Sequence, residues 1–129
     1  MEAEVIGAYD AYWQDLLAAG DPPDPDAAAL PEHRTDDLLD IARDQLRTLQ
    51  GEGLVIRGRY EPSARFVELT VDRAILLDCG KNGVHLVEAA TGEVVQAADG
   101  RPDGNRAELV LLDGTWKVDT LVDDEKACR

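Results

Sequence analysis

Two cysteines and two histidines are the residues whose chemistry depends most directly on spacing in this 129-residue chain. Cys79 follows an apolar run, and Cys128 is next to last in the chain. A zinc site needs about four ligands, and neither His33 nor His85 is closely spaced with a cysteine, so we expect no metal. A CxxC redox motif is absent. The cysteines are therefore either inert thiols or the two halves of a structural disulfide.

Other catalytic motifs are missing from the sequence as well. The chain has no Gly-rich phosphate loop, no nucleophile elbow and no His/Asp cluster with metal spacing, so we expect no cofactor. Asp78 precedes the turn-like sequence Gly-Lys-Asn-Gly, where capping of the turn is its expected role. His85 lies between two apolar residues and is either a solvent-facing strand residue or part of a pocket wall. The motifs alone assign no catalytic residue.

The charge of the chain excludes two classes of partner. The formal net charge is -14, which repels both nucleic acid and anionic membrane surfaces. The charge is concentrated in residues 1–52, which hold 13 acidic and 3 basic residues, a net charge of -10. No apolar run approaches the ~18 residues of a membrane span, so we expect no transmembrane segment. The sequence MEAEVIGAYD lacks the features of a signal peptide, which taken alone favours the cytoplasm.

Two helices are predicted in the first 52 residues. Between Glu2 and Ala19 the large apolar residues recur at helical spacing, and they are Val5, Ile6, Tyr9, Tyr12, Trp13, Leu16 and Leu17. A segment with four prolines in ten residues then interrupts the helix. The second helix is predicted to begin after Thr35 as its N-cap, with Asp36 and Asp37 in the first turn, and to end at Gly51–Gly53.

After Gly53 the apolar residues alternate with polar ones, which predicts strands. The predicted strands are 54–60, 65–71 continuing through 73–79, 84–90, 106–112 and 115–122. Asp113-Gly114 predicts a type I′ hairpin, Thr91-Gly92 a second turn, and residues 98–105 a polar loop. Helices followed by an antiparallel meander predict one α+β domain, residues 1–129, with N-terminal helices packed on a curved sheet.

The order of these segments resembles the NTF2-like superfamily, which includes SnoaL-like cyclases and ketosteroid-isomerase-like proteins. The resemblance is carried by VIGAYDAYWQDLLAAGD, by TDDLLDIARDQLRTLQGEGLVIRG and by AELVLLDGTWKVDTL. The most recognisable single feature is Trp116, early in the last strand. The resemblance implies a cone-shaped α+β fold, and such cones often dimerise through the outer face of the sheet.

The resemblance also implies a pocket between the first helix and the concave sheet. Its candidate ligand-binding residues are Tyr9, Tyr12, Trp13, His85 and Trp116. Enzymes of the superfamily place an Asp or His base and a Tyr or Asp donor there, so His85 or Asp78 would be the base and Tyr9 or Tyr12 the donor. For the tyrosines and Trp13, core packing is the competing interpretation, since they lie on the apolar stripe of the helix.

More narrowly, the chain is similar to exported NTF2-like proteins and lipoproteins of actinobacteria that have no assigned activity. The similarity lies in GEGLVIRG, LLDCGKNGVHLVEAATGEVV, GTWKVDTL and the terminal cysteine. It implies a disulfide between Cys79 and Cys128, and with it an extracytoplasmic protein, secreted or lipid-anchored. The expected function is non-enzymatic binding of a small apolar ligand or a protein partner at the cell envelope. The alternative is a small-molecule isomerase, cyclase or hydrolase of the SnoaL or ketosteroid-isomerase kind.

Overall fold

Two helices precede eight strands in the computed structural model, which describes residues 1–129. The helices are α1 (Glu2–Ala18) and α2 (Asp36–Glu52). The strands are β1 (Leu54–Arg57), β2 (Tyr60–Glu61), β3 (Ala64–Leu69), β4 (Arg73–Asn82), β5 (His85–Glu88), β6 (Val94–Gln96), β7 (Pro102–Leu112) and β8 (Thr115–Asp123). The α+β class predicted from the sequence is confirmed.

The two helices end close to the predicted residues. Thr35 precedes α2 in an extended conformation, but its hydroxyl makes no capping hydrogen bond and is buried without a partner. Asp36 and Asp37 in the first turn stabilise the positive end of the helix dipole instead. Gly53 ends α2 in the left-handed conformation, at a φ of 69°. Neither helix is long and apolar enough to cross a membrane.

All strand pairs are antiparallel and belong to two sheets. In the five-stranded sheet β4 pairs with β7 and β7 with β8, while β2 and β3 pair in succession with the other edge of β4. The three-stranded sheet has the order β1-β5-β6. The chain passes from one sheet to the other three times, between β1 and β2, between β4 and β5 and between β6 and β7. The first two crossings form a bent hairpin that joins the two sheets, since β1 pairs with β5 and β2 with β4.

Gly58 produces the bend between β1 and β2. Residues 54–60 were predicted as one strand, but Gly58 has a φ of 88°, and a Cβ there would overlap the carbonyl oxygen of Gly83. The two segments stay in contact through Gly83, whose N–H donates to the carbonyl of Arg59 at 2.9 Å. The single straight strand was therefore wrong, because only glycine permits this turn of the backbone.

Strand β4 differs from its prediction at both ends. The predicted continuous run through residues 65–79 is a hairpin of β3 and β4, joined by a turn at residues 70–72. Cys79 does not end the strand, because β4 continues through Gly80 and Lys81 to Asn82. The expected turn at residues 80–83 was wrong, since Gly80 is needed inside the strand: the Tyr60 hydroxyl lies against it where a Cβ would be.

Strand β7 begins earlier than predicted, and a short strand was missed. Asp103, Gly104 and Asn105 were expected in a polar loop, but they pair with Gly80, Cys79 and Asp78 of β4. Strand β6, Val94–Gln96, was not predicted as a strand. The polar side chains concealed the start of β7, and β6 has only three residues, too few for an alternating pattern.

Both predicted tight turns are present. Asp113 and Gly114 have φ values of 49° and 80°, as a type I′ hairpin between β7 and β8 requires. Gly92 has a φ of 77° in the turn that follows β5. Turns of this kind are encoded by two adjacent residues, so the sequence predicts them without knowledge of the sheet.

The core lies between α1 and the concave face of the five-stranded sheet. Its buried members are Val5, Ala8, Tyr9, Tyr12, Ala74, Leu76, Ala107, Leu109, Trp116 and Val118. Alternation along β4 places Leu76 and Asp78 on this face. A smaller cluster joins Ala19 and Leu30 to Leu39 and Leu46 of α2. The two helices are thus held by two separate apolar clusters.

A disulfide joins Cys79 to Cys128, as the resemblance implies. It holds a short 3₁₀ turn, Glu125–Cys128, against the outer side of β4 and β7. Ala127 in this turn is buried, and its carbonyl accepts a hydrogen bond of 2.8 Å from Arg65. The C-terminal residues are therefore fixed to the sheet by a covalent bond, an apolar contact and a hydrogen bond.

A methyl group at Gly80 is expected to destabilise the protein, because it would displace the buried Tyr60 hydroxyl. Gly80→Ala should lower the free energy of unfolding by about 1–3 kcal/mol. Gly7→Ala is the matched control: Gly7 lies inside α1 with open space around it, and alanine there should raise stability by about 0.5–1 kcal/mol. Urea unfolding at constant m-value measures both. Equal stability of Gly80→Ala and the wild type would contradict the packing described.

Candidate functional site

The carboxylate of Asp78 is the centre of a buried polar cluster. Its Oδ2 accepts hydrogen bonds from the hydroxyls of Tyr9 at 2.7 Å and Tyr60 at 2.6 Å. Its Oδ1 accepts from the backbone N–H of Ser63 at 2.7 Å. The amide of Asn105 donates to the Tyr60 hydroxyl at 3.1 Å. These five residues are called the Asp78 cluster below.

Four separate parts of the chain place these groups together. Tyr9 projects from the apolar stripe of α1, and Tyr60 lies on β2, immediately after the bend at Gly58. Asp78 and Asn105 are directly paired in the register of β4 and β7. Since inward and outward side chains alternate along a strand, both project from the concave face with the core residues.

The Asp78 carboxylate is compensated by hydrogen bonds alone. Asp78 has no exposed surface, and no ion pair involves it. The two phenol–carboxylate distances are those of charge-assisted hydrogen bonds, which are about twice as strong as neutral ones. A buried carboxylate without such donors would be costly, so each donor contributes to keeping this group in the core.

All three tyrosines of the chain are buried, which raises the pKa of each phenol. For Tyr9 and Tyr60, loss of solvent is the main cause of the raised pKa, and the hydrogen bond to Asp78 adds to it. For Tyr12, burial raises the pKa while the nearby Arg34 charge acts in the opposite direction. The phenols therefore remain protonated donors throughout the ordinary pH range.

The predicted pocket residues Tyr12 and Trp13 lie beside the Asp78 cluster, but their side chains make none of its hydrogen bonds. The backbone carbonyl of Tyr12 accepts a 2.6 Å hydrogen bond from the buried Arg34, whose guanidinium carbon lies 4.3 Å from the centre of the Tyr12 ring. Burial lowers the pKa of Arg34. The Trp13 ring lies 4.0 Å from the Tyr60 ring, centre to centre. Both aromatic residues pack around the polar cluster and shield it from solvent.

The remaining candidates, Trp116 and His85, lie elsewhere. Trp116 is a buried member of the apolar core. His85 is on the three-stranded sheet, half-buried, and its Nδ1 accepts a 2.9 Å hydrogen bond from the N–H of Ala98. Of the predicted residues, the structure therefore brings Tyr9 and Asp78 into direct contact. Trp13 packs against Tyr60, and His85 lies apart from them on the other sheet.

The Asp78 cluster contains the groups of an acid–base site but no room for a substrate. A carboxylate and two phenols at hydrogen-bonding distance are what proton abstraction next to a carbonyl requires. Both carboxylate oxygens are occupied, however, and Tyr9 and Tyr60 are each only 1% exposed. In this closed arrangement the cluster connects α1, β2, β4 and β7 through hydrogen bonds.

The large apolar recess of the molecule lies outside the core, along α2. This α2 groove has a volume of about 610 Å³. Its apolar lining comes from the end of α1, from α2 and from the three-stranded sheet, and consists of Leu16, Ile41, Leu46, Leu49, Ile56 and Leu86. Asp44 and Glu52 are the charged residues of the lining. Ile41 is 53% exposed, so the groove presents an apolar surface to solvent.

Sequence reasoning missed Tyr60, Asn105 and the α2 groove. Tyr60 was assigned to the end of a strand and Asn105 to a loop. The one available signal was the aromatic residue between two charged ones, Arg59-Tyr60-Glu61, which is the pattern of an inward-facing strand position. The groove carries no motif, because it depends on how α2 lies beside the three-stranded sheet.

Removal of the Asp78 charge is expected to destabilise the fold. In Asp78→Asn, the amide NH₂ replaces one acceptor and leaves a buried donor unpaired, so stability should fall by about 2–4 kcal/mol. Tyr9→Phe removes one charge-assisted hydrogen bond and should cost about 1.5–3 kcal/mol. Asp10→Asn, at an exposed position of α1, is the control and should change stability by less than about 0.5 kcal/mol. Unfolding in urea gives all three values, and an unchanged Asp78→Asn would refute the role assigned to the cluster.

The raised tyrosine pKa values predict cooperative unfolding at alkaline pH. Unfolded tyrosines ionise near pH 10, whereas the folded ones ionise higher, so the stability they confer is complete below about pH 10 and is lost above it. Each tyrosine should contribute a loss of about 1.4 kcal/mol per pH unit in that range. Absorbance of the phenolate should rise only as circular dichroism reports unfolding. A gradual rise near pH 10 in a still-folded protein would show exposed phenols, and the urea-unfolded chain supplies the reference titration.

Comparison with known proteins supports the fold and assigns no family. No protein-family model matches the chain, and no curated protein sequence matches it significantly. Among solved structures, the chain is similar to the intermembrane space region of the chloroplast protein ARC6, at a TM-score of 0.71 and 19% identity over 91% of each chain. A de novo designed β-sheet protein aligns over 96% of this chain and 89% of its own at 17% identity, with a TM-score of 0.41, too low to support an argument. The chain therefore shares an α+β fold with the ARC6 region, and the likeness extends to the fold alone.

Proposed function

We propose that the chain is a non-catalytic, NTF2-like domain that binds a protein partner in an oxidising compartment outside the cytoplasm. The observation that carries this proposal is the contrast between its two candidate sites. The Asp78 cluster is sealed and its hydrogen bonds are satisfied, whereas the α2 groove is apolar and open. Exposed apolar recesses of this kind are typical of interaction sites.

A protein partner fits the groove better than a small apolar ligand does. Small ligands are usually enclosed on most of their surface, inside a cleft or cavity. Here the interior position expected for such a ligand is filled by core residues, among them Leu76 and Trp116. The apolar surface that remains lies on the outside, with Ile41 half exposed at its rim.

Two observations support the compartment and one supports the superfamily. The Cys79–Cys128 disulfide is a bond that persists mainly in oxidising environments. The structurally similar region of ARC6 is described as an intermembrane space region, which is also outside the cytosol. The NTF2-like assignment is supported by the helices-first order and by the closing hairpin that carries Trp116.

A small-molecule enzyme of the ketosteroid-isomerase or SnoaL kind is the second candidate function. It is favoured by one observation, the convergence of Asp78, Tyr9 and Tyr60 on a shared hydrogen-bond network. Catalysis there would require the Trp13 and Tyr60 rings to separate and admit a substrate. The closed packing of these rings makes this the weaker candidate.

Site-specific photo-crosslinking in the native cell tests the leading proposal. A benzophenone amino acid in place of Gln45, an exposed residue lining the groove, should yield a covalent adduct with a second protein. The same amino acid in place of Val71, which is 75% exposed and does not line the groove, is the matched control and should yield none. In the same cells, thiol alkylation should modify the two cysteines only after reduction.

Three results would contradict the proposal. Absence of a protein adduct at position 45, or equal adducts at positions 45 and 71, would exclude the groove as the binding site. Alkylation of both cysteines without reduction would exclude the oxidising compartment.

A further inference from the structure

We propose that the α2 groove takes a basic amphipathic helix of its partner protein. This inference rests on the proposed function and names the chemistry of the partner at the same groove. The shape of the groove, its charge and the charge of the whole chain support it.

The wall of the groove is a regular stripe of α2. Seven residues of α2 line the groove, Asp44 and Leu46 among them, and the stripe is formed by Ile41, Gln45, Thr48, Leu49 and Glu52. Their spacing of three, four and seven places them on one helix face, and they extend over about 16 Å. A helix of about three turns that lies along this stripe would present apolar side chains at the same spacing, as in other helix-in-groove complexes.

The floor of the groove supplies the apolar contacts for such side chains. Leu16 comes from α1, Ile56 from β1 and Leu86 from β5, so three elements besides α2 meet there. All three are only partly buried, which leaves apolar surface to be covered. The groove thus combines apolar residues from four elements with polar residues of α2, and the length of the α2 stripe matches an elongated occupant.

The charge of the groove selects a basic occupant. Asp44 and Glu52 line it, and no lysine or arginine does. Arg47 pairs with Asp44 at 3.1 Å, but both side chains are largely exposed, and surface pairs of this kind are weak. The first 52 residues, which include α2, carry a net charge of -10. A helix with lysine or arginine beside its apolar stripe is therefore attracted, and an acidic one is repelled.

The same charge argues against a second copy of this chain as the occupant. With a formal net charge of -14, two copies that meet at their acidic halves would bring like charges together. A purely apolar ligand would bring no positive charge to Asp44 and Glu52. The basic helix is the occupant that satisfies both the apolar and the acidic parts of the groove.

Fluorescence anisotropy with designed peptides tests the inference on the full chain with its disulfide intact. The probe is a labelled helical peptide of about four turns, with leucine at i, i+3, i+4 and i+7 and lysine at the other positions. One control peptide replaces every lysine with glutamate, and a second replaces every leucine with serine. At physiological ionic strength the leucine–lysine peptide should bind, and both controls should bind at least about tenfold more weakly.

Two pairs of variants locate the binding. Ile41→Gln should weaken the leucine–lysine peptide about tenfold, because Ile41 is an exposed apolar contact whose replacement leaves the core intact. Val71→Gln, at an exposed position outside the groove, should leave its affinity unchanged. Glu52→Gln should weaken binding and reduce its salt dependence, whereas Asp119→Asn, at an exposed position on β8, should do neither. Amide shifts on peptide addition should be concentrated in residues 41–52.

Several outcomes would overturn the inference. Equal binding of the serine–lysine peptide would show general attraction to an acidic surface, and equal binding of the leucine–glutamate peptide would exclude charge selection. Unchanged affinity of Ile41→Gln would place the peptide elsewhere, and self-association of the chain that Ile41→Gln abolishes would make a second copy the occupant. A cross-link at position 45 without peptide binding would refute the basic helix and leave the proposed function standing, whereas peptide binding without any cross-link would refute the proposed function.

Discussion

Three hydrogen bonds to one buried carboxylate connect the first helix, the bend of the sheet and its central strands. Asp78 is 69 residues from Tyr9 and 18 from Tyr60 along the chain, and both phenols reach the same oxygen. Because no cation compensates the charge, each of these donors contributes to keeping the carboxylate in the core. The position of α1 brings Tyr9 to the carboxylate, and the bend at Gly58 together with the space at Gly80 admits the Tyr60 hydroxyl. The apolar core then closes around the aromatic rings that carry the donors.

The features that could be predicted are those with a local signal. The apolar stripe of α1, the first turn of α2 and the Asp113-Gly114 hairpin each depend on a few neighbouring residues, and they were located correctly. The path of β4 beyond Cys79 and the strand character of residues 103–105 depend on pairing between distant segments. Their polar residues look like a loop because the apolar pattern is interrupted by the Asp78 cluster. Of that cluster, the sequence indicated Tyr9 and Asp78 but not Tyr60 or Asn105, whose partners are far away in the chain.

The buried and the exposed acidic residues of the molecule have different roles. Its interior carboxylate is satisfied by phenols and contributes to the fold, while the acidic residues of α2 face solvent beside an apolar groove. The formal net charge of -14 disfavours contact with other anionic surfaces, which offsets the risk of aggregation that an exposed apolar groove creates. In the complex proposed above, the same acidic residues would select the charge of the partner. Asp78 therefore stabilises the fold, whereas the recognition proposed for the groove depends on Asp44 and Glu52.

The adjacency of Asp78 and Cys79 has a consequence for the register of β4. Neighbouring strand residues face opposite sides, so Asp78 meets the phenols inside while Cys79 meets Cys128 outside. A one-residue slip of β4 would exchange the two faces, leaving the carboxylate in solvent and the sulfur in the core. In such a chain Cys128 would find no partner at the surface of the sheet. The disulfide and the burial of the Asp78 carboxylate therefore require the same register of β4.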